Sequence, residues 1–216
     1  MMARTQGSSG TATFEAIRKA GLRLIYERGY EAMSLRQLAS EIGLVQGSLY
    51  NHISTKQELL FILISEHMRD LLQHADLALE EAPKPPSGRL AAFVDFHVNY
   101  HIDRKREVFI SYSELRSLEP KNFEAIVAMR KDYEKKLILI LKAGASEGVF
   151  TIADPQAVAF GILSMLAGIC TWYNPKGRLS RKQISAIFVE LVRGAVYDRT
   201  SPLVSRPAKG RAGTLV

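Results

Sequence analysis

The chain has 216 residues, 47% of them hydrophobic, with a formal net charge of +7, which excludes a fibrous or intrinsically disordered protein and suits one or two folded units. The positive excess lies at the ends: residues 1–56 carry +3 and residues 193–216 carry +4, while the segment between is neutral. No secretory leader is legible, the apolar run Ala157–Cys170 falls short of a roughly 30 Å hydrocarbon core, and the one cysteine, Cys170, has no internal disulfide partner.

Residues 1–10 carry Gly, Ser and Gln without periodicity and are expected to be mobile. Phe14, Ile17, Gly21, Leu24 and Ile25 then fall at helical spacing, with a stop at Gly29. Ser34-Leu-Arg-Gln37 reads as a capping box opening a second helix, whose apolar face is Leu35, Leu38, Ala39 and Ile42 and whose end is Gly43. Residues 47–53 predict a third helix of two turns. Ser54 and Thr55, matched by Gln57 and Glu58, cap a long helix from Lys56 to about Glu81. Pro83, Pro85 and Pro86 break the chain. Ser87 is expected to cap a helix through His101, followed by a shorter helix over 107–118 and a long one over 120–146 ended by Gly148. Asp154-Pro155 opens an apolar helix to Tyr173, Asn174-Pro-Lys-Gly177 is a turn, and Ser180-Arg-Lys-Gln183 caps the last helix. Its apolar face is Ile184, Ile187, Phe188, Leu191, Val192 and Ala195. From Thr200 onward Pro, Gly, Arg and Ser imply a disordered basic tail. Nothing alternates with a period of two, so the fold class is all-α, with about nine helices.

Two short helices joined at Gly43-Leu44 match a helix-turn-helix, in which the second helix enters the major groove and the first crosses the backbone. Leu38, Ala39, Ile42, Leu44, Leu49 and Ile53 supply the apolar contacts that fix the angle between them. Val45, Gln46, Gly47, Ser48 and Asn51 are left facing outward, and Gln46 and Asn51 carry the amide that pairs with adenine. Tyr50, His52 and Lys56 donate to phosphates, Lys56 at a helix N-terminus. Ser34 and Arg36 complete the set expected on DNA. A basic head draws a polyanion by counterion release, whereas no cationic amphipathic helix suggests a membrane partner.

The twenty-seven residues from Ser34 to Leu60 closely resemble the signature of the tetracycline-repressor (TetR) family. The family's Leu-Tyr-x-His-Phe core is matched by Leu49-Tyr50-Asn51-His52-Ile53, with Ile for Phe, and its lysine opening the fourth helix by Lys56. The resemblance covers Phe14 to Leu60 by motif and the remainder by helix number and length. It implies a homodimer with two DNA-binding heads, a helical ligand-binding body, and repression relieved by a small effector. A generic helical hairpin with chance capping boxes is the competing reading, and a helical interaction module without DNA binding is the alternative of a different class.

In the body, the helix over 155–173 is apolar on nearly all sides and is expected to be buried all round, with Ala157, Gly161, Ala167 and Gly168 permitting close approach. With the last helix it is expected to form a four-helix interface with a second copy, or else to complete the core of a monomer. The segment from Trp172 to Ser180 resembles the end of the eighth helix in TetR-type repressors that sense acyl-coenzyme A thioesters of fatty-acid and steroid-ring catabolism. Trp172 and Tyr173 beside Lys176 and Arg178 suit an adenine or acyl ring plus phosphates; alternatively Trp172 packs in the dimer interface and the turn is a connector. Tyr100, Tyr112, Arg116 and Met129 are further candidates for the pocket, and a hydrophobic drug or other planar ligand is the alternative effector. His97 and His101 lie one turn apart but lack a carboxylate or cysteine partner nearby, so no metal site is assigned. No nucleophile elbow, phosphate loop or dinucleotide fingerprint occurs, which argues against an enzyme and implies no cofactor. The expected organisation is a mobile stretch over 1–10, a DNA-binding head over 11–55, a ligand-binding and dimerisation body over 56–198 and a tail over 199–216, working in the cytoplasm on double-stranded operator DNA.

Overall fold

The structure, a computed structural model, describes residues 6–197. Among the described residues every regular element is helical. The head comprises α1 (Gln6–Arg28), α2 (Leu35–Glu41) and α3 (Gln46–Leu49). The helix α4 (Lys56–Glu80) leads into a body of α5 (Pro86–Asp103), α6 (Lys105–Ser113), α7 (Pro120–Ser146), α8 (Pro155–Ala167), α9 (Ile169–Trp172) and α10 (Arg181–Tyr197), with a 3-10 turn at Leu115–Ser117.

Local chemistry sets most of the boundaries. Ser34 Oγ accepts from Gln37 N–H at the start of α2, Thr55 Oγ1 from Glu58 N–H at the start of α4, and Asp154 from both Gln156 and Ala157 N–H at the start of α8. At α10 the capping box is reciprocal: Gln183 N–H donates to Ser180 Oγ and Ser180 N–H to Gln183 Oε1. Gly43 and Gly148 end α2 and α7 with φ of +70° and +69°. In each case the glycine amide and the one after it return to the last turn, Gly43 N–H to Ser40 and Leu44 N–H to Ala39, Gly148 N–H to Ala145 and Val149 N–H to Gly144, the pattern that a left-handed residue permits.

Several expectations are corrected. α1 begins at Gln6, inside the stretch expected to be mobile; once the buried Ile17, Leu24 and Ile25 hold a helix, extending it backward needs no new nucleation. The third helix is regular only over Gln46–Leu49 and continues to Ile53 as a hydrogen-bonded turn. α5 begins at Pro86, without Ser87 as its cap, because a first-turn proline has no amide hydrogen to satisfy. α6 spans 105–113 rather than 107–118. The apolar helix over 155–173 is interrupted at Gly168. Residues 1–5 of the expected N-terminal stretch, and the tail over 199–216, lie outside the described residues.

One apolar core runs through head and body. Ile17, Leu24, Leu38, Leu49 and Ile53 fill the head, and Leu90, Phe93, Val94, Val98, Leu137 and Leu141 fill the body. The two are joined by α4, whose Leu59 and Leu60 are buried in the head and whose Ile64, Met68, Leu71 and Ala75 are buried in the body. At about 1.5 Å per residue, α4 is a lever of roughly 37 Å shared by both parts.

The helix α8 is not buried all round. Its inner residues Ala159, Ile162 and Leu166 are buried, but Phe160 is 44% and Met165 39% exposed. α10 is split in the same way. Ile184, Phe188, Val192 and Val196 pack inward, while Ile187 and Leu191 are 45% and 53% exposed. Arg181 anchors α10, making two 2.7 Å bonds to the Asp103 carboxylate and others to Asn99 on α5. By length and composition alone Pro155–Trp172 reaches the lower limit for a membrane span, contrary to the shorter apolar run expected. Its inner face, however, packs on α5 and α7.

Candidate functional site

The outer surface of the head is built around α3. Leu49 and Ile53 anchor it inward, leaving Val45, Gln46, Gly47, Tyr50 and Asn51 exposed, with Ser48 and His52 half-buried. Gln46 Nε2 donates to the Tyr50 hydroxyl at 3.3 Å, so these two side chains are already oriented toward one another. Ser34 and Arg36, at the start of α2, are also exposed. Lys56 is held more firmly than its sequence position suggested: its ammonium donates to the Glu31 carbonyl at 3.1 Å and sits 4.2 Å from the centre of the Tyr30 ring. With three hydrogens on that nitrogen, donors remain for an outside acceptor.

The same corner of the head is clasped by the body. Tyr30 N–H donates to Glu114 Oε1 at 3.2 Å. Gln57 donates to the Ser117 carbonyl at 2.6 Å and accepts from Glu119 N–H at 3.1 Å. α1 lies along α6, where Tyr26 meets Phe109 edge to face at 5.1 Å. Directional bonds thus tie the segment after α6 to the head at Tyr30 and to the first turn of α4 at Gln57.

A cavity of about 240 Å³ opens in the body between α4, α5, α6, α7 and α8. Its floor is polar yet buried: His67, His97, His101, Ser111 and Tyr133. Met68, Leu71 and Leu163 form apolar walls, and Tyr112, Phe160 and Ser164, exposed residues, mark the rim. Arg130 lies at this rim, 4.3 Å from the centre of the Tyr112 ring. His97 Nδ1 is 2.9 Å from the Tyr133 hydroxyl, and His101 Nδ1 donates to the His97 carbonyl at 2.9 Å. The two imidazoles are stacked, 3.7 Å between centroids. Burial holds all three histidines neutral, His67 at about 4, His101 at about 3 and His97 well below its ordinary value. Burial also pushes the Tyr133 phenol up, so it keeps its proton. Among the described residues no three His, Cys, Asp or Glu side chains are placed to hold a metal ion.

Residues 83–196, more than half of the chain, match the family of tetracyclin repressor-like C-terminal domains. The chain belongs to the TetR family. Residues 17–62 match the N-terminal domain of bacterial regulatory proteins of the same family, so the head is the TetR helix-turn-helix and the body its ligand-binding partner. The chain is 24% identical over 173 residues to the HTH-type transcriptional repressor KstR2 of Mycolicibacterium smegmatis, covering 79% of this chain and 83% of that one. A TetR-family regulatory protein from Rhodococcus RHA1 superposes with a TM-score of 0.79 at 29% identity, over 85% of this chain and 96% of that one. AibR, solved with isovaleryl coenzyme A and operator DNA, superposes at 0.75 with 28% identity, over 82% and 96% of the two chains.

In the TetR body the residues expected from the sequence to bind ligand separate into groups. Tyr112 lines the cavity. Tyr100 lies on its far side, where its hydroxyl donates to Asp70 at 2.8 Å in a charged groove with Arg18, Glu66 and Arg104. Arg116 is exposed on the 3-10 turn and Met129 is half-buried against the core; neither lines the cavity. Trp172, 54% exposed, stacks on Phe188 at 6.1 Å, Tyr173 is half-buried, and Lys176, on the Asn174–Gly177 turn, and Arg178, just after it, are exposed. None of these four lines the cavity. The polar lining residues that sequence reasoning missed are His67, Ser111, Arg130, Tyr133, Glu134 and Ser164. The usable signal was a polar side chain set on an apolar stripe: Leu90, Phe93, Val94, His97, Val98 and His101 share one face of α5.

Proposed function

We propose that this TetR protein is a transcriptional repressor that binds a palindromic operator in the cytoplasm as a homodimer. It is released when the acyl end of a coenzyme A thioester enters the cavity. The observation that carries this reading is the continuity of the cavity wall with the head. Ser111 and Tyr112 line the cavity on α6, and two residues beyond, Glu114 holds the Tyr30 amide of the head. His67, Met68 and Leu71 line it on α4, whose first residue, Lys56, is bonded to the head at Glu31. A ligand that binds one arrangement of α4 and α6 better than the other shifts the heads between them.

The outward faces of α8 and α10 support pairing with a second copy, since Phe160, Met165, Ile187 and Leu191 form an apolar surface of the kind covered in dimers. On DNA, Gln46 and Asn51 read bases, with Gly47 and Ser48 beside them, while Ser34, Arg36, Tyr50, His52 and Lys56 meet phosphates. An acyl thioester is favoured by the cavity volume and by the complex of AibR with isovaleryl coenzyme A. A cavity of about 240 Å³ admits a short acyl group but not the coenzyme, whose phosphates and adenine are assigned to the exposed Lys176, Arg178, Trp172 and Tyr173. The test is calorimetric titration of the purified dimer with short-chain acyl-coenzyme A thioesters and the matching free acids. Tighter binding of a thioester than of its acid, with at least a tenfold loss in Arg178→Ala, is expected. Heat from no thioester contradicts the reading, and equal affinity of wild type and Arg178→Ala removes Arg178 from the site.

A further inference from the structure

The floor of the cavity has a hydrogen-bonding polarity that follows from its geometry. His101 Nδ1 lies 2.9 Å from a carbonyl oxygen, so it carries the ring's hydrogen and leaves Nε2 as a bare acceptor. The Tyr133 hydroxyl is 2.9 Å from His97 Nδ1 and has no other partner among the described residues. We assign its hydrogen to Nδ1, the one acceptor within its reach among the described residues, which puts the His97 hydrogen on Nε2. That Nε2 is buried and has no partner among the described residues. A buried donor left unpaired is destabilising, and a ligand with the matching acceptor removes that penalty.

Taking this cavity as the effector site, we propose that it selects a compact ligand whose buried end carries a hydroxyl group. That hydroxyl accepts from His97 Nε2–H and donates to His101 Nε2. The stacked rings present one donor and one acceptor on neighbouring side chains, and a hydroxyl is the smallest neutral group that satisfies both. An alkyl end satisfies neither. A carboxylate end finds no cation in the His97–His101 pair, whose rings are neutral; the cation among the lining residues is Arg130, held over Tyr112 and donating to the Ser111 carbonyl. Size narrows the class further. A cavity of about 150 Å³ in another protein holds benzene, so about 240 Å³ suits one substituted ring or a chain of similar bulk. The ligand class is a hydroxyaryl or short hydroxyacyl group, joined at its other end to whatever lies beyond Arg130.

Two measurements test this. In the free dimer, long-range proton–nitrogen correlation of the imidazoles is expected to show His97 as the Nε2–H tautomer and His101 as the Nδ1–H tautomer; His97 as Nδ1–H overturns the assignment. Calorimetry then compares 4-hydroxybenzoyl with benzoyl coenzyme A, and 4-hydroxybenzoate with benzoate. The hydroxylated member of each pair is expected to bind at least tenfold tighter. The preference is expected to vanish in His97→Phe and to shrink in Tyr133→Phe, which frees His97 to change tautomer while sparing the fold. Equal binding within both pairs, or an undiminished preference in both variants, overturns the inference while leaving the cavity as an effector site. Binding of aliphatic thioesters but of neither aryl pair, with 3-hydroxybutyryl coenzyme A no tighter than butyryl coenzyme A, does the same. Silence from aryl and aliphatic thioesters together overturns both.

Discussion

Lowering the pH from 7 to 5 is expected to destabilise the fold steeply, because the cavity floor holds three imidazoles that the folded chain keeps neutral. His67, His97 and His101 are 6%, 1% and 2% exposed, and burial places each below its ordinary value of 6.5. The unfolded chain takes up a proton at each as the pH falls through about 6.5, whereas the folded chain does not. Their contribution to stability is thus fully present above about pH 6.5 and lost as the pH falls toward the folded values. One group in this position changes stability by up to about 1.4 kcal/mol per pH unit, so the three together give a slope of roughly 4 kcal/mol per unit below pH 6. The slope closes first at His67, whose folded value is about 4. Urea unfolding at fixed protein concentration, repeated at half-unit steps from pH 7 to pH 5, measures this directly. His67→Gln is expected to reduce the slope by about a third whatever it does to absolute stability, since the slope counts protons. A flat profile over this range, or a full slope in His67→Gln, refutes the reasoning.

Other consequences are local. Gly144→Ala is expected to cost about 1–3 kcal/mol or more in the same unfolding assay, because a Cβ there would stand 2.0 Å from the Phe150 ring. Gly161→Leu meets nothing within 4 Å in its own chain, so it should leave the subunit folded while sedimentation shows a shift from dimer to monomer. Gln46→Ala should relax preference at one operator position by about 1–3 kcal/mol in a randomised-site selection. Lys56→Ala should weaken binding to all sequences alike and lower the salt slope by about one, a result read from anisotropy at several salt concentrations.

Sequence patterns revealed what is local and hid what is assembled. The caps at Ser34, Thr55, Asp154 and Ser180 are short-range bonds between a side chain and amides two or three residues on, so spacing alone exposes them. The left-handed Gly43 is legible for the same reason. The extent of α3 was less so, since its last turn is held by burial of Leu49 and Ile53 against the rest of the head rather than by helical propensity. The cavity was not legible at all. It joins His67 of α4 to His97 and His101 of α5 and Tyr133 of α7, a meeting fixed by helix packing across distant segments. The aromatic and basic cluster at 172–178 is legible because it is contiguous, yet its residues lie outside that cavity, most of them exposed. Similarly, an apolar α8 looked buried on every side, because composition cannot separate a face turned to the chain's own core from one turned outward.

The central claim is that an occupant of the cavity changes how the heads meet DNA. Fluorescence anisotropy on a labelled fragment of the promoter upstream of its own gene, titrated with a thioester that calorimetry has shown to bind, tests it most directly. At least a tenfold fall in DNA affinity on saturation is predicted, and a smaller fall in Glu114→Ala, which cuts the bond from α6 to the Tyr30 amide. Saturation of the cavity with no change in DNA affinity would contradict it.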